Sequence, residues 1–285
     1  KAEMEPSSPP PEIFDRRRRR AMRARAVRRS GERYLWDYVA SELAERLALV
    51  TRDFEHALII GPMAGCADAI MAGRNCTLRF ACLSPAEADG AVQAEEDRLP
   101  FEPQSFDLVI AAGTLDSVND LPGALVQIRR ILKPDGLFLG HMFGAGSLSM
   151  LKSLMMQADG DVAKAHIHPQ IDLRSAADLL SRAGFALPVA DSDVVPVRYG
   201  EWRSIVRDVR DAGVGNGLAG PRVYVGKELP RRLDAAWQRQ SDDSGKLIEQ
   251  FVHIFLSGWA PASNQPKPAP RGSGTVSLTS VFPSA

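Results

Sequence analysis

The chain has 285 residues, 45% apolar and 25% charged, a balance that suits a soluble globular protein. It excludes wholesale disorder, a collagen-like repeat and a disulfide scaffold. Thirty-five basic residues match thirty-five acidic ones, but the zero hides an asymmetry: Asp15–Arg33 carries ten arginines against two acids, a net of +8 on a body of −8. The longest apolar stretches, near Ala57–Met71 and Phe106–Leu115, are too short to span a bilayer, and Pro62 and Asp68 interrupt the first. Cys66, Cys76 and Cys82 are an odd set without CxxC spacing, so they read as small buried hydrophobes in a reduced compartment, not as a disulfide frame or a zinc site. No apolar leader is visible, and a bacterial cytoplasmic location is expected.

In chain order, residues 1–11 hold four prolines and read as a disordered leader. Residues 12–50 read as two helices broken near Ser30-Gly31, the first basic, the second amphipathic through Leu35, Val39, Leu43, Leu47 and Val50. The period then changes. Residues 56–61 (HALIIG) predict a buried strand, Cys66–Ala72 a helix, residues 77–83 (TLRFACL) a second strand and Val92–Ala94 a weak third. Residues 106–113 (FDLVIAAG) predict the clearest strand; Leu121–Leu132 predicts a helix stopped by Lys133-Pro134-Asp135-Gly136, and residues 136–144 the next strand. Strands alternating with helices predict an α/β chain with a mostly parallel sheet covered on both faces. Beyond Ser147, helices are predicted at Leu148–Gln157, Leu173–Ala183, Ile205–Ala212 and Leu229–Gln240. Two short β segments are predicted at Phe185–Ala190 and Asp193–Arg198, and a last strand at residues 253–259. The divisions expected are therefore 1–11, 12–50, a core at 51–146, a C-terminal half at 147–260 and a flexible tail at 261–285, with a short grip at Val276–Phe282.

Three features sit where an open α/β sheet binds ligands, beyond the carboxyl ends of its strands. In IIGPMAGC, Gly61 and Gly65 have the ends of a nucleotide-type loop, with Met63 in its middle; a tight strand-to-helix turn explains the motif about as well. EEDRLPF (95–101) places a carboxylate after the third strand, where it can accept from an amino group. NDLPGALVQIRRILKPDGLFLG (119–140) supplies helix, turn and strand.

The segment LPFEPQSFDLVIAAGTLDSVNDLPGALVQIRRILKPDGLFLG resembles the core of class I S-adenosylmethionine (SAM) methyltransferases. More narrowly, the chain is similar to the methyltransferase-like assembly factors of respiratory complex I and their alphaproteobacterial relatives. The similarity runs through IFDRRRRRAMRARA (13–26), HIHP (166–169), LLSRAGFALPVADSD (179–193), Tyr199, Asp208, Gly213, Asn216 and LSGWAP (256–261), over roughly residues 12–270. The resemblance implies a Rossmann-like fold with a mostly parallel seven-stranded sheet, an N-terminal helical lid and an appended helical region. It implies SAM as cofactor and, in the mitochondrial member, hydroxylation of an arginine of a complex I subunit; a related branch methylates a malonyl group. The positions it marks for the cofactor are Gly61, Pro62, Gly65, Cys82, Glu95, Glu96, Ala111 and Ala112.

Several of these positions depart from the family pattern. Ile59 stands where an acid is usual, Met63 replaces the central glycine, and the acid that holds the ribose hydroxyls falls on Cys82. Each lost charge-assisted hydrogen bond is worth about 1.5–3 kcal/mol, so the grip on SAM is expected to weaken by roughly tenfold or more. The expected function is a SAM-dependent methyltransferase-like protein with a degenerate cofactor loop, acting on or docking to a protein partner. The alternative is an inactive scaffold that binds its partner through the arginine-rich helix. Nucleic acid is not the expected partner, since charge runs are usually solvated; no membrane span is expected, though the basic helix is compatible with peripheral association. Asp116 reads as a solvated loop acid in preference to a base, His141 as a packed histidine, and His166 and His168 as a turn against Pro169 in preference to metal ligands.

Overall fold

The computed structural model describes residues 12–29, 31–160, 164–221 and 226–265. The expected leader and the grip at Val276–Phe282 lie outside the described residues. Two helices, α1 (Arg16–Arg29) and α2 (Tyr34–Ala48), precede β1 (His56–Ile60), α3 (Ala67–Ile70), β2 (Thr77–Cys82), β3 (Val92–Gln93), β4 (Phe106–Ala112), α4 (Leu121–Ile131) and β5 (Leu132–Phe143). Then come α5 (Ser149–Asp159), α6 (Leu173–Arg182), β6 (Ala186–Tyr199), α7 (Trp202–Asp211), α8 (Glu228–Gln240) and β7 (Leu247–Trp259).

The seven strands form one sheet in the order β3-β2-β1-β4-β5-β7-β6. The first five are parallel, and β7 runs antiparallel between β5 and β6. This is the mostly parallel seven-stranded arrangement that the sequence implies. Strand alternation distributes the core. Ala57 and Ile59 of β1 pack toward α2, α3, α5, α7 and α8, while Leu58 and Ile60 pack toward α4 and α6. All seven residues of β4 are buried. Because the chain leaves β1 toward β2 on one side and later returns to β4 on the other, a crevice opens at the carboxyl ends of β1 and β4.

Several elements differ from expectation. Lys133-Pro134-Asp135-Gly136 is not a turn between elements but the irregular start of β5. There Asp135 adopts φ +61° and the register against β4 shifts. The two short β segments after Phe185 are one 14-residue strand, β6. Asp191 and Ser192 look like a break, but this edge strand is largely exposed, so polar side chains reach water while the backbone ladder with β7 continues. β7 begins at Leu247, six residues before the expected start; there Leu247, Glu249 and Phe251 are buried while Ile248 and Gln250 are exposed, a pattern that the buried acid and the exposed Ile248 obscure in the sequence. The helix expected at Cys66–Ala72 is a single 3₁₀ turn and the short α3.

Candidate functional site

The site grows from the turn after β1. Gly61 adopts φ +105°, and a Cβ there would stand 2.4 Å from the Ala112 carbonyl, so the turn requires glycine. Its N–H donates to Ala81 O at 3.0 Å, and the Cys82 thiol lies 3.7 Å from Gly61 O. Burial, with the charge of Glu87, pushes that thiol up to about 12, so it carries no charge for a ligand hydroxyl to meet. Met63 does not stand in the crevice. It is fully buried in the apolar cluster beneath α2. Ala111 and Ala112 are also fully buried, one in each core layer.

The arginine-rich helix closes over this crevice. It starts where the Asp15 carboxylate accepts from Arg18 N–H at 2.9 Å. Phe14 anchors it by exchanging backbone hydrogen bonds with the Asn119 side chain at 2.8 and 3.0 Å. The helix has no apolar stripe. Its arginines bind the acidic run after β3, a fixing by ion pairs in place of packing. Arg16 pairs with Asp97 at 2.6 Å, and Arg20 with Glu95 at 2.7 Å. Arg19, 2% exposed, reaches Glu95 at 3.2 Å, Glu96 at 2.9 Å and Thr114 O at 3.2 Å. Arg18 and Arg29 are also engaged within the chain, on Leu218 O and Asp211. The helix is thus a lid, and Glu95 and Glu96, two of the sequence-marked cofactor residues, hold it down.

Beside the lid lies a cavity of about 330 Å³, lined by Pro62 and Gly65 of the turn, Glu87, Arg23, Arg33 and Trp36 among others. Of the eight marked residues, these two line it; Gly61, Cys82, Glu95, Glu96, Ala111 and Ala112 do not. Trp36 fits because Gly113 has no side chain: a Cβ there would meet the indole at 2.4 Å. Arg23 is 4% exposed and faces no carboxylate at ion-pair distance among the described residues; its guanidinium donates to Gly113 O and Ala212 O. Burial pushes its pKa down, partly offset by the charges of Glu87 and Asp116. Glu87, which the motif reading missed, accepts from Ser84 N–H through Oε1 at 2.9 Å in a capping box, while its buried Oε2 has no partner among the described residues. Burial raises its pKa against the pull of Arg23. Ser84-Pro85-Ala86-Glu87 was a readable helix-start signal. Nothing in it says that the acid faces a cavity.

A second cavity of about 210 Å³ lies beyond the ends of β4 and β5. A gap of about 10 Å³, lined by Arg19, Met22, Arg23, Asp116 and His168, lies between the two. Asp116 is not a solvated loop acid: its side chain is 3% exposed and its Oδ2 is 3.5 Å from His168 Nε2. Burial opposes its ionisation, but His168 and Arg23 outweigh that and hold the carboxyl below the usual range. His166 contacts both oxygens of Asp159, at 2.9 and 3.0 Å. His141 is packed as expected, but against a second histidine, His253, at 2.9 Å.

The comparisons with known proteins bear on the fold and the family. Residues 75–140 match the methyltransferase domain family model. The mitochondrial arginine-hydroxylase NDUFAF5 of Danio rerio is 30% identical over 94% of this chain and 89% of its own length. The Mus musculus protein of the same name is 31% identical over 93% and 82%. A solved structure assigned as a methyltransferase, BH2331 from Bacillus halodurans, superposes with a TM-score of 0.53 at 15% identity, covering 78% of this chain and all of its own. That likeness supports the fold alone. The mitochondrial relatives overturn the expectation of a bacterial cytoplasmic location. That expectation rested on unpaired cysteines and acids near the first residues, which do not distinguish one reducing compartment from another. No helix among the described residues is long and apolar enough to cross a membrane. Identity of 30–31% over most of both chains, with a class I methyltransferase sheet, places this chain in the NDUFAF5 family.

Proposed function

We propose that this chain binds an adenosyl ligand of the SAM type and works on, or docks to, a protein partner during the assembly of complex I. The observation that carries the reading is the 330 Å³ cavity under the lid, which falls in the roughly 300–1,000 Å³ range of small-molecule sites. Its donor set fits the ligand. The unpartnered Glu87 Oε2 suits the ribose hydroxyls in place of Cys82, and Arg23 with Arg33 suits the carboxylate end. Trp36 supplies an apolar wall. When bound, SAM supplies an electrophilic methyl on sulfur. The chain's own residues bind and orient the ligand, and α1 excludes water from the crevice. Gly61 then sets the turn, Glu95 and Glu96 seat the lid, and Cys82, Ala111 and Ala112 pack in the core without gripping the ligand.

The scaffold reading draws on a different observation: the two acids after β3 are neutralised by Arg19 and Arg20, and Cys82 cannot ionise near neutrality. One experiment separates the two. Thermal unfolding is followed with SAM or its demethylated product at about 1 mM; a Kd near 100 μM gives about 1.4 kcal/mol of stabilisation. For a chain of this size that is a rise of roughly 3–6 °C. An unmoved melting temperature with both ligands rejects the adenosyl reading in favour of the scaffold.

A further inference from the structure

We infer that Arg23 makes the cavity under the lid selective for charge, so that it takes the neutral thioether S-adenosylhomocysteine in preference to the sulfonium of SAM. The inference rests on the adenosyl reading above and deepens it by naming the residue that decides which form of the ligand holds the site. The charges of the lining are lopsided. Two guanidiniums, Arg23 and Arg33, and two carboxylates, Glu87 and Asp211, line the cavity. Asp211 is already paired with Arg29 of the lid. Glu87 keeps one free oxygen, Oε2, which the ribose hydroxyls take in the adenosyl reading. Arg23 and Arg33 face no carboxylate at ion-pair distance among the described residues. Arg23 donates to Gly113 O and Ala212 O, and Arg33 to the Cys66 thiol.

The ligand brings one carboxylate, which answers one of the two guanidiniums. Arg33 is exposed, so water screens its charge. Arg23 is 4% exposed, and a guanidinium does not give up its proton. Glu87 and Asp116 pull on it from farther off, but its burial outweighs them. SAM and its thioether product share adenosine, carboxylate and ammonium, so the sulfur carries the whole difference: a fixed positive charge in one, none in the other. That charge finds no counter-charge in the cavity. Glu95, Glu96 and Asp97 beneath the lid are engaged by Arg20, Arg19 and Arg16. The Trp36 ring is a surface for a cation, but the Arg23 guanidinium already stands 5.9 Å from its centroid. A sulfonium therefore enters beside a buried like charge, where the low dielectric strengthens the repulsion. The thioether enters without it.

Titration calorimetry on the full chain compares three probes: SAM, S-adenosylhomocysteine and sinefungin, which carries an ammonium group where SAM has its sulfonium. The thioether should bind at least about tenfold tighter than either cationic probe. Arg23→Met keeps the stem and removes the guanidinium. It should bring the three affinities within about threefold of one another, with the melting temperature reporting that the fold is kept. If that variant does not fold, Arg23→Gln, which can still donate to a carbonyl, takes its place. Arg33→Met should weaken all three probes alike and keep the preference; a preference lost there and kept in the Arg23 variant overturns the assignment to Arg23. SAM or sinefungin binding the parent as tightly as the thioether also overturns the inference, and leaves the adenosyl reading standing. Binding of none of the three overturns both.

Discussion

The lid is held by charge, so removing one cation should release it. Arg19→Met keeps the length of the side chain and deletes its guanidinium. In the folded chain that group contacts Glu95 at 3.2 Å, Glu96 at 2.9 and 3.1 Å and Thr114 O at 3.2 Å, with all three side chains nearly inaccessible. Breaking a buried pair by removing one partner costs about 3–5 kcal/mol, because a charge remains buried and unpaired. For a chain of this size each kcal/mol lowers the melting temperature by about 2–4 °C, so a fall of roughly 6–20 °C is expected. Trypsin should then cut within Arg16–Arg29, which the intact protein protects. Adding Glu96→Gln removes the orphaned charge and should recover at least about 1 kcal/mol in a double-mutant cycle. A single variant that melts within about 2 °C of the parent with α1 still protected refutes the account of the lid.

Other consequences are independent of the lid. Burial pushes His253 down to about 4 from the ordinary 6.5, and His141 well below it. The unfolded chain therefore takes up protons that the folded one refuses. Stability present above about pH 6.5 is lost as pH falls toward 4, by about 3 kcal/mol from His253 alone. Urea unfolding across that window should show the loss, and His253→Gln should flatten it; an unchanged slope places the acid sensitivity elsewhere. Gly61→Ala must force a Cβ to within 2.4 Å of a backbone carbonyl at φ +105°. It should cost about 2 kcal/mol or more, read as a lower urea midpoint, and a neutral effect contradicts the described turn.

The sheet was legible because its strands are short apolar runs between turn residues. The edge was not, because β6 is largely exposed, and in the first half of β7 the buried face includes Glu249 while Ile248 faces out. The turn at Gly61 was visible as a ligand loop, and its glycine is required. Met63 stands where the loop pattern has its central glycine, but its side chain turns into the core. Asp116 shows the general limit. A loop acid is usually solvated, but His168 from later in the chain and the lid's Arg19, Met22 and Arg23 gather around this one. Glu87 is five residues past the position where an acid is usual, so comparison by position alone passes over it.

Titration calorimetry with SAM, run on the parent chain and on Glu87→Gln, tests the central claim most directly. Saturable heat is expected for the parent with a Kd tighter than about 100 μM, near −5.5 kcal/mol, and a Kd weaker by about tenfold or more for the variant. Equal affinity in the two proteins contradicts the assignment of Glu87. No heat from the parent at ligand concentrations of about 1 mM contradicts an adenosyl site beneath the lid.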